Sequence, residues 1–274
     1  MGAVVEQQIE DGVALLTLNR PDRLNAWTGE MENLYFDLLE ACAADTDVRA
    51  IVVTGAGRGF CAGADMNDLQ TLGGAGSEEN GAAANGDAVA AAEERARERR
   101  PQSLPLGIPK PLIAAINGPC AGIGLVQALM CDIRFAARGA KFTTAFARRG
   151  LVAEHGISWM LPRLVGPARA MDLLLSARVL LAEEACELGL VNRALAPDEL
   201  LDATLEYARD LARNCSPASM AAMKQQVYGD LERSLLDATA RADELMLRSF
   251  AGGDFREGVS SFLERREPRF AALG

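Results

Sequence analysis

Two glycine-rich segments each follow an apolar run, and each could turn backbone amides toward a ligand. Thr54 to Asp65 reads TGAGRGFCAGAD and carries Gly55, Gly57, Gly59 and Gly63, residues that permit unusual backbone angles and a close approach of main chain to ligand. A dinucleotide fingerprint would need glycine where Phe60 stands, and the first-strand context it requires is missing. Ile116 to Arg134 reads INGPCAGIGLVQALMCDIR, with a turn at Asn117-Gly118-Pro119 and a helix opening at Gly122-Ile123-Gly124. The first amides of a helix have no intrahelical partners and can hold an oxyanion. Taken singly, either segment is also what a packing turn looks like. One histidine, His155, excludes His-rich metal sites and leaves any Ser-His-Asp triad a single candidate base. The cysteines at 42, 61, 120, 131, 186 and 215 stand in mostly apolar surroundings without a CxxC pair, the pattern of buried thiols rather than disulfides or zinc ligands. Neither a metal nor a nicotinamide cofactor is expected.

The elements that must position these segments alternate in type. Residues 3–8 and 12–18 read as strands around the turn Glu10-Asp11-Gly12. Thr28 can cap a helix running to about Ala44, with Met31, Leu34, Tyr35, Leu38, Leu39 and Cys42 at helical spacing. Strands follow at 50–54, 112–116 and 131–137, with helices from about Gly122 and after Ser158, an α/β alternation. Between Leu72 and Arg100 the first half reads as mobile and the second as a solvated helix. From Ala182 onward strand signals nearly vanish, and helices are expected over 182–190, 197–213, 216–228, 231–250 and 255–267. A boundary near Pro197 therefore divides a core, 1–196, from a helical part, 197–274, that must bury its apolar faces on the core or on another subunit. With 28 Lys and Arg against 38 Asp and Glu, the net charge of -10 opposes non-specific nucleic-acid binding and anionic membranes. The start MGAVVEQQIEDG places charges where a secretory signal keeps its apolar region, so a cytoplasmic protein is expected.

These two strand-turn-helix segments, with LNRPDRLNAW at 18–27 and FREGVSSFLERREPRF at 255–270, resemble the crotonase superfamily, the enoyl-CoA hydratase/isomerase group. The resemblance covers most of the chain outside about residues 67–107. It implies an α/β crotonase-like spiral of ββα units with a helical C-terminal trimerisation subdomain, acyl-CoA thioester substrates, and a homotrimer or dimer of trimers. Coenzyme A would enter as part of the substrate, and neither nucleic acid nor membrane is implied as a partner. By the same match the backbone amides of Ala64 and Ile123 form an oxyanion hole. Ile123 replaces a commoner glycine, which narrows the pocket without removing the amide. Contacts to the CoA thioester map onto Leu24, Ala26, Ala64, Asp65, Met66, Asn67 and Ile123, with Arg265 matching a basic residue that meets a CoA phosphate; by itself Arg265 also reads as a solvated helix charge.

Hydratases of this family use two glutamates, which fall here at Val126 and Phe146. Neither residue can transfer a proton. Glu154 instead lies in the frame L-x-x-E-x-G-x-S-W-x-L-P, where a subgroup resembling the Δ3,Δ2-enoyl-CoA isomerases carries its single acid. On residue type alone Glu154 is an exposed first-turn glutamate near a helix N-terminus; the resemblance makes it the acid/base, within an apolar surround of Val152, Ile157, Trp159 and Phe146 that favours its neutral form. His155 is expected to be packed and satisfied by a backbone carbonyl, a place in the pocket being the alternative. Asp65 and Asp132 read as backbone-capping or structural. The expected activity is double-bond isomerisation of an enoyl-CoA; the alternatives are a hydratase using Glu154 and water, and a non-catalytic acyl-CoA-binding subunit.

Overall fold

The computed structural model describes residues 2–68, 70 and 100–273; the segment expected to be part mobile and part helical, Leu72 to Arg100, lies outside them but for Arg100. The chain begins with a hairpin of β1 (Val5–Glu10) and β2 (Val13–Leu18), whose register pairs Glu10 with Val13. Asp11 and Gly12 between them take φ values of 51° and 78°, the left-handed pair whose twist matches that of the strands. Thr28 then caps α1 (Gly29–Ala44), its hydroxyl oxygen accepting from the Met31 amide at 3.2 Å. Met31, Tyr35, Phe36, Leu39 and Cys42 of α1 are buried, each large apolar side chain contributing roughly 1.5–3 kcal/mol.

Three further strands, β3 (Ala50–Gly55), β4 (Leu112–Ile116) and β6 (Ile133–Ala137), add in parallel to β2, and β9 (Arg193–Leu195) closes the sheet in the order β1-β2-β3-β4-β6-β9. β3 and β4 are buried along their whole length, which is why AIVVTG and LIAAI read as continuous small and apolar runs rather than alternating ones. A second sheet pairs β5 (Cys120–Ala121), β7 (Lys141–Thr143) and β8 (Leu180–Leu181) in that order. Two successive turns of the chain thus each contribute a long strand to one sheet and a short strand to the other before their helices. β4 and β5 lead into α3 (Ile123–Leu129), after the short α2 (Leu104–Gly107); β6 and β7 lead into α4 (Ile157–Val165) and α5 (Pro167–Ser176). This is the spiral of ββα units that the resemblance implied.

After α6 (Ala182–Glu187) the expected loss of strands is corrected by β9, a three-residue strand too short to show alternation and held by pairing Phe135 with Arg193 and Ala137 with Leu195. Helices α7 (Leu200–Asn214), α8 (Pro217–Asp230), α9 (Leu235–Ala251) and α10 (Gly253–Glu264) complete the chain. α7 packs across β2, β3, β4 and β6, burying Thr204, Ala208 and Ala212, so the helical part begins as a layer of the core. α9 and α10 differ, leaving Leu235 and Phe262 85% and 83% exposed. Among the described residues no helix is long and apolar enough to cross a membrane.

Asp132, expected to be structural, clamps α8 to the base of β4. Its carboxylate accepts from the Leu112 amide, the Lys224 ammonium and the Tyr228 hydroxyl at 2.8, 2.8 and 2.9 Å. The Lys224 ammonium also donates to the carbonyls of Pro105 and Lys110. Lys224→Met should lower unfolding free energy by about 3 kcal/mol, because it strips a largely buried carboxylate of its cation; chemical denaturation at unchanged m-value checks it. Burial pushes the Cys61 and Cys131 thiols up to about 12 and the Cys120 thiol well above its usual range. Native protein at pH 8 should therefore leave these three unmodified by a thiol reagent until it is unfolded, a difference that peptide mapping reads directly.

Candidate active site

The glycine-rich loop after β3 has few hydrogen bonds of its own, and two asparagines from distant turns satisfy its carbonyls. The Asn25 side-chain amide donates to Ala56 O and Gly59 O at 3.0 and 2.8 Å, while its oxygen accepts from the Arg20 amide at 2.8 Å. Asn117 donates to Gly55 O and Gly57 O at 2.8 and 2.9 Å. The loop then runs on between two strand-like neighbours. On one side the Ala121 amide donates to Cys61 O, and Cys61 bridges to Cys120; on the other the Trp27 amide donates to Gly63 O and the Asp65 amide to Trp27 O. Because Trp27 engages Gly63 and Asp65, the amide of Ala64 faces the other way. Ile123 opens α3 beside it, and α3 can come this close because position 124 is glycine: a β-carbon there would overlap the Cys61 carbonyl oxygen and crowd its side chain.

Ala64 and Ile123 line one cavity of about 320 Å³. Among the described residues, neither backbone amide donates to a main-chain or side-chain acceptor, the state an anion-binding pair requires. A chain of buried side chains braces the two segments: Trp27 Nε1 and Gln102 Nε2 donate to Glu32 Oε2 at 3.0 and 2.9 Å, and Gln127 Nε2 donates to Gln102 Oε1 at 2.7 Å. Trp27 flanks Ala64, and Gln127 lies one turn along α3 from Ile123. Sequence reasoning missed this brace, although Glu32 and Gln127 stand out as polar residues on otherwise apolar buried helix faces.

The same cavity gathers Ala26, Asp65, Met66, Asn67 and Glu154 from the expected set. Leu24 and Arg265 do not line it. Leu24, at φ 51°, supports the loop by accepting from the Ala62 amide, and Arg265 is the exposed C-cap of α10. Val126 is buried within α3 away from the lining, whereas Phe146 forms part of the wall. Arg23, Ala145, Arg149 and Leu151 join the lining without having been singled out; no short-range pattern marks residues that meet only after folding.

Glu154 sits in the turn ahead of α4, not in its first turn, and its carbonyl accepts from the Ile157 amide at 3.1 Å. Of the expected surround only Phe146 lines the cavity: Val152 is 76% exposed, Ile157 is buried and Trp159 half-buried outside the lining, and Leu151 joins the wall instead. His155 also departs from expectation. It lines the cavity, with Nε2 3.7 Å from Glu154 Oε2. Among the described residues two carboxylates line the cavity, and they differ in kind. Asp65 accepts from the Asn67 amide at 3.0 Å and from Arg20 Nη2 at 2.9 Å, contacts that hold its carboxyl below the usual range and make it structural, as expected. Glu154 lies on the wall that also carries Phe146 and His155.

The comparisons agree with this geometry. The family model described as enoyl-CoA hydratase/isomerase matches residues 8–272. A 1,2-epoxyphenylacetyl-CoA isomerase from Escherichia coli strain K12 is 39% identical, over 96% of each chain. The crystal structure of an enoyl-CoA hydratase from Mycobacterium marinum is 48% identical, covers 85% of this chain and 100% of its own, and superposes with a TM-score of 0.69. Subunit I of an enoyl-CoA hydratase from Geobacillus kaustophilus is 30% identical over 98% of both chains, with a TM-score of 0.85. Motifs, spiral fold and full-length similarity together establish that the chain belongs to the enoyl-CoA hydratase/isomerase family, the crotonase fold of acyl-CoA enzymes.

Proposed function

We propose that this family member is an enoyl-CoA isomerase with Glu154 as its single acid/base. The observation that carries the proposal is the placement of Glu154 in the cavity lined by Ala64 and Ile123, with apolar residues at both positions of the hydratase glutamates. A thioester carbonyl oxygen accepts from the two amides. Glu154 takes a proton from C2 of a 3-enoyl thioester, and the C–H electrons pass onto the thioester oxygen as a dienolate. The same carboxyl returns the proton at C4 as the C2=C3 double bond forms. Two fixed amides favour the charge that develops at oxygen without rearranging. Phe146 and Leu151 limit water at the reacting carbons. The isomerase name of the Escherichia coli relative, a 1,2-epoxyphenylacetyl-CoA isomerase, supports isomerisation of an acyl-CoA but not this substrate, and the hydratase name of the Mycobacterium marinum relative supports a second reading in which Glu154 activates water. A coupled assay with 3-enoyl and 2-enoyl thioesters separates the two, and a non-catalytic subunit would turn over neither.

The CoA portion is proposed to run along Ala26 and Asp65 to Asn67, with Arg265 as a phosphate contact; the exposed position of Arg265 supports the latter. Residues 197–274 are proposed as the helical subdomain through which copies associate as a homotrimer or dimer of trimers, which the exposed apolar faces of α9 and α10 support. The six free thiols support a cytoplasmic location.

Glu154→Gln should reduce isomerase turnover by on the order of 10²- to 10⁴-fold, with KM for the acyl-CoA little changed because amides and CoA contacts persist; near-normal turnover would end the single-acid mechanism. Phe146→Glu should introduce weak hydration of a 2-enoyl thioester, or lower the melting temperature through the cost of a buried charge. Sedimentation at micromolar concentration should show a trimer or hexamer, and a monomer would refute the assembly.

A further inference from the structure

The one histidine of the chain stands beside the proposed acid/base. His155 lines the same cavity as Glu154, with its Nε2 3.7 Å from Glu154 Oε2. The backbone that puts it there is unusual: His155 has φ 58° and Gly156 has φ 82°, two successive left-handed residues. The first carries a full side chain where glycine would be relaxed, and departures of this kind collect where a site requires them. This reversal brings two adjacent side chains, Glu154 and His155, to one cavity wall.

We propose that His155 is a positioning residue for Glu154, resting on the acid/base reading above, and that protonation of its imidazole withdraws Glu154 as a base. With a neutral imidazole the carboxylate takes the C2 proton without a cation of this residue beside it. When the imidazole takes a proton from solvent, the imidazolium faces Oε2. Abstraction then moves negative charge from Oε2 to a thioester oxygen held by the Ala64 and Ile123 amides, away from the cation, and the step slows. Imidazoles ordinarily titrate near about pH 6.5, so protonation of this one adds an acid limb to the pH profile that depends on His155. Among the described residues that line the cavity or stand on α4, the other charged groups have contacts of their own or lie at the rim. Asp65 is paired with Arg20, Arg149 donates to the Ala145 carbonyl, Arg163 on α4 stacks over Trp159 at 3.9 Å, and Arg23 belongs to the exposed rim.

Because the chain has a single histidine, untagged full-length protein gives one set of imidazole proton resonances. Glu154→Gln should lower their titration midpoint by about half a unit or more, as loss of a nearby anion requires. Profiles of kcat/KM against pH with 3-hexenoyl-CoA should fall about tenfold per unit below the wild-type limb. In His155→Gln and His155→Asn the limb should move to lower pH with KM preserved; asparagine adopts the left-handed backbone more readily than most residues and guards against loss of folding. An imidazole midpoint unmoved by Glu154→Gln, or a wild-type acid limb in both His155 variants, overturns the proposal. If the limb is unchanged while Glu154→Gln is inactive, the role of His155 alone is lost. If Glu154→Gln turns over at the wild-type rate, the acid/base reading fails and this role with it.

Discussion

The main-chain pairing of residues 61–65 with the segments on either side of them is the constraint on which the site depends. One flank is supplied by residues 24–27 and the other by 119–121, through the bridges Trp27 to Ala64 and Cys61 to Cys120. Neither flank is close in sequence, so the loop has its shape only when the first turn of the chain and the β4–β5 turn are both in place. Once they are, the Ala64 and Ile123 amides share a cavity before any substrate arrives. Preorganisation of this kind is what gives a dipole pair its catalytic value, because no orienting cost remains at the moment charge develops. The brace through Glu32, Gln102 and Gln127 extends the constraint into side chains that are themselves buried and hydrogen-bonded. These hydrogen bonds tie the approach of α1 to that of α3, with Gln127 Oε1 buried and without a partner among the described residues.

The chemistry follows from what this frame leaves to side chains. An oxyanion pair built of backbone is indifferent to residue type, and it suits any reaction that passes through a thioester enolate. What distinguishes one reaction from another is the proton carrier. Val126 is buried in α3 and Phe146 is part of the cavity wall, so neither of these positions offers a carboxylate. Asp65 keeps its charge through the Asn67 amide and Arg20, and it shapes the loop. In the proposed reaction the proton carrier sits in the turn ahead of α4, where Glu154 and His155 stand side by side.

The C-terminal helices divide between two tasks. α7 covers the sheet, and α8 is locked to the base of β4 through Lys224, Tyr228 and Asp132. That lock lies just beyond the end of α3, so the helix whose first amide faces the cavity is held near its far end by a charged contact. α9 and α10 carry Leu235, Leu236, Phe255, Phe262 and Leu263 outward, the apolar face on which the proposed association of copies rests.

Much of the scaffold was legible in local pattern. The hairpin at Asp11-Gly12, the Thr28 cap, the buried strands 50–54 and 112–116 and most C-terminal helices are written in propensities and periods that act within a few residues. The two glycine segments were visible in the same way, as places where main chain could approach a ligand, and the family resemblance of their motifs pointed to Ala64, Ile123 and Glu154, which line one cavity. Folding decided the rest. β9 exists because the edge of β6 offers its three residues partners, Val152 turns outward while Leu151 turns in, and the Glu32 brace joins side chains from four separate segments. His155 reached the cavity through a left-handed backbone that no pattern of residue types announced. Local sequence specifies which backbone states and which burials are favourable; which groups then face one another across a cavity depends on contacts between residues far apart in the chain, and these have no signature until the chain has closed on itself.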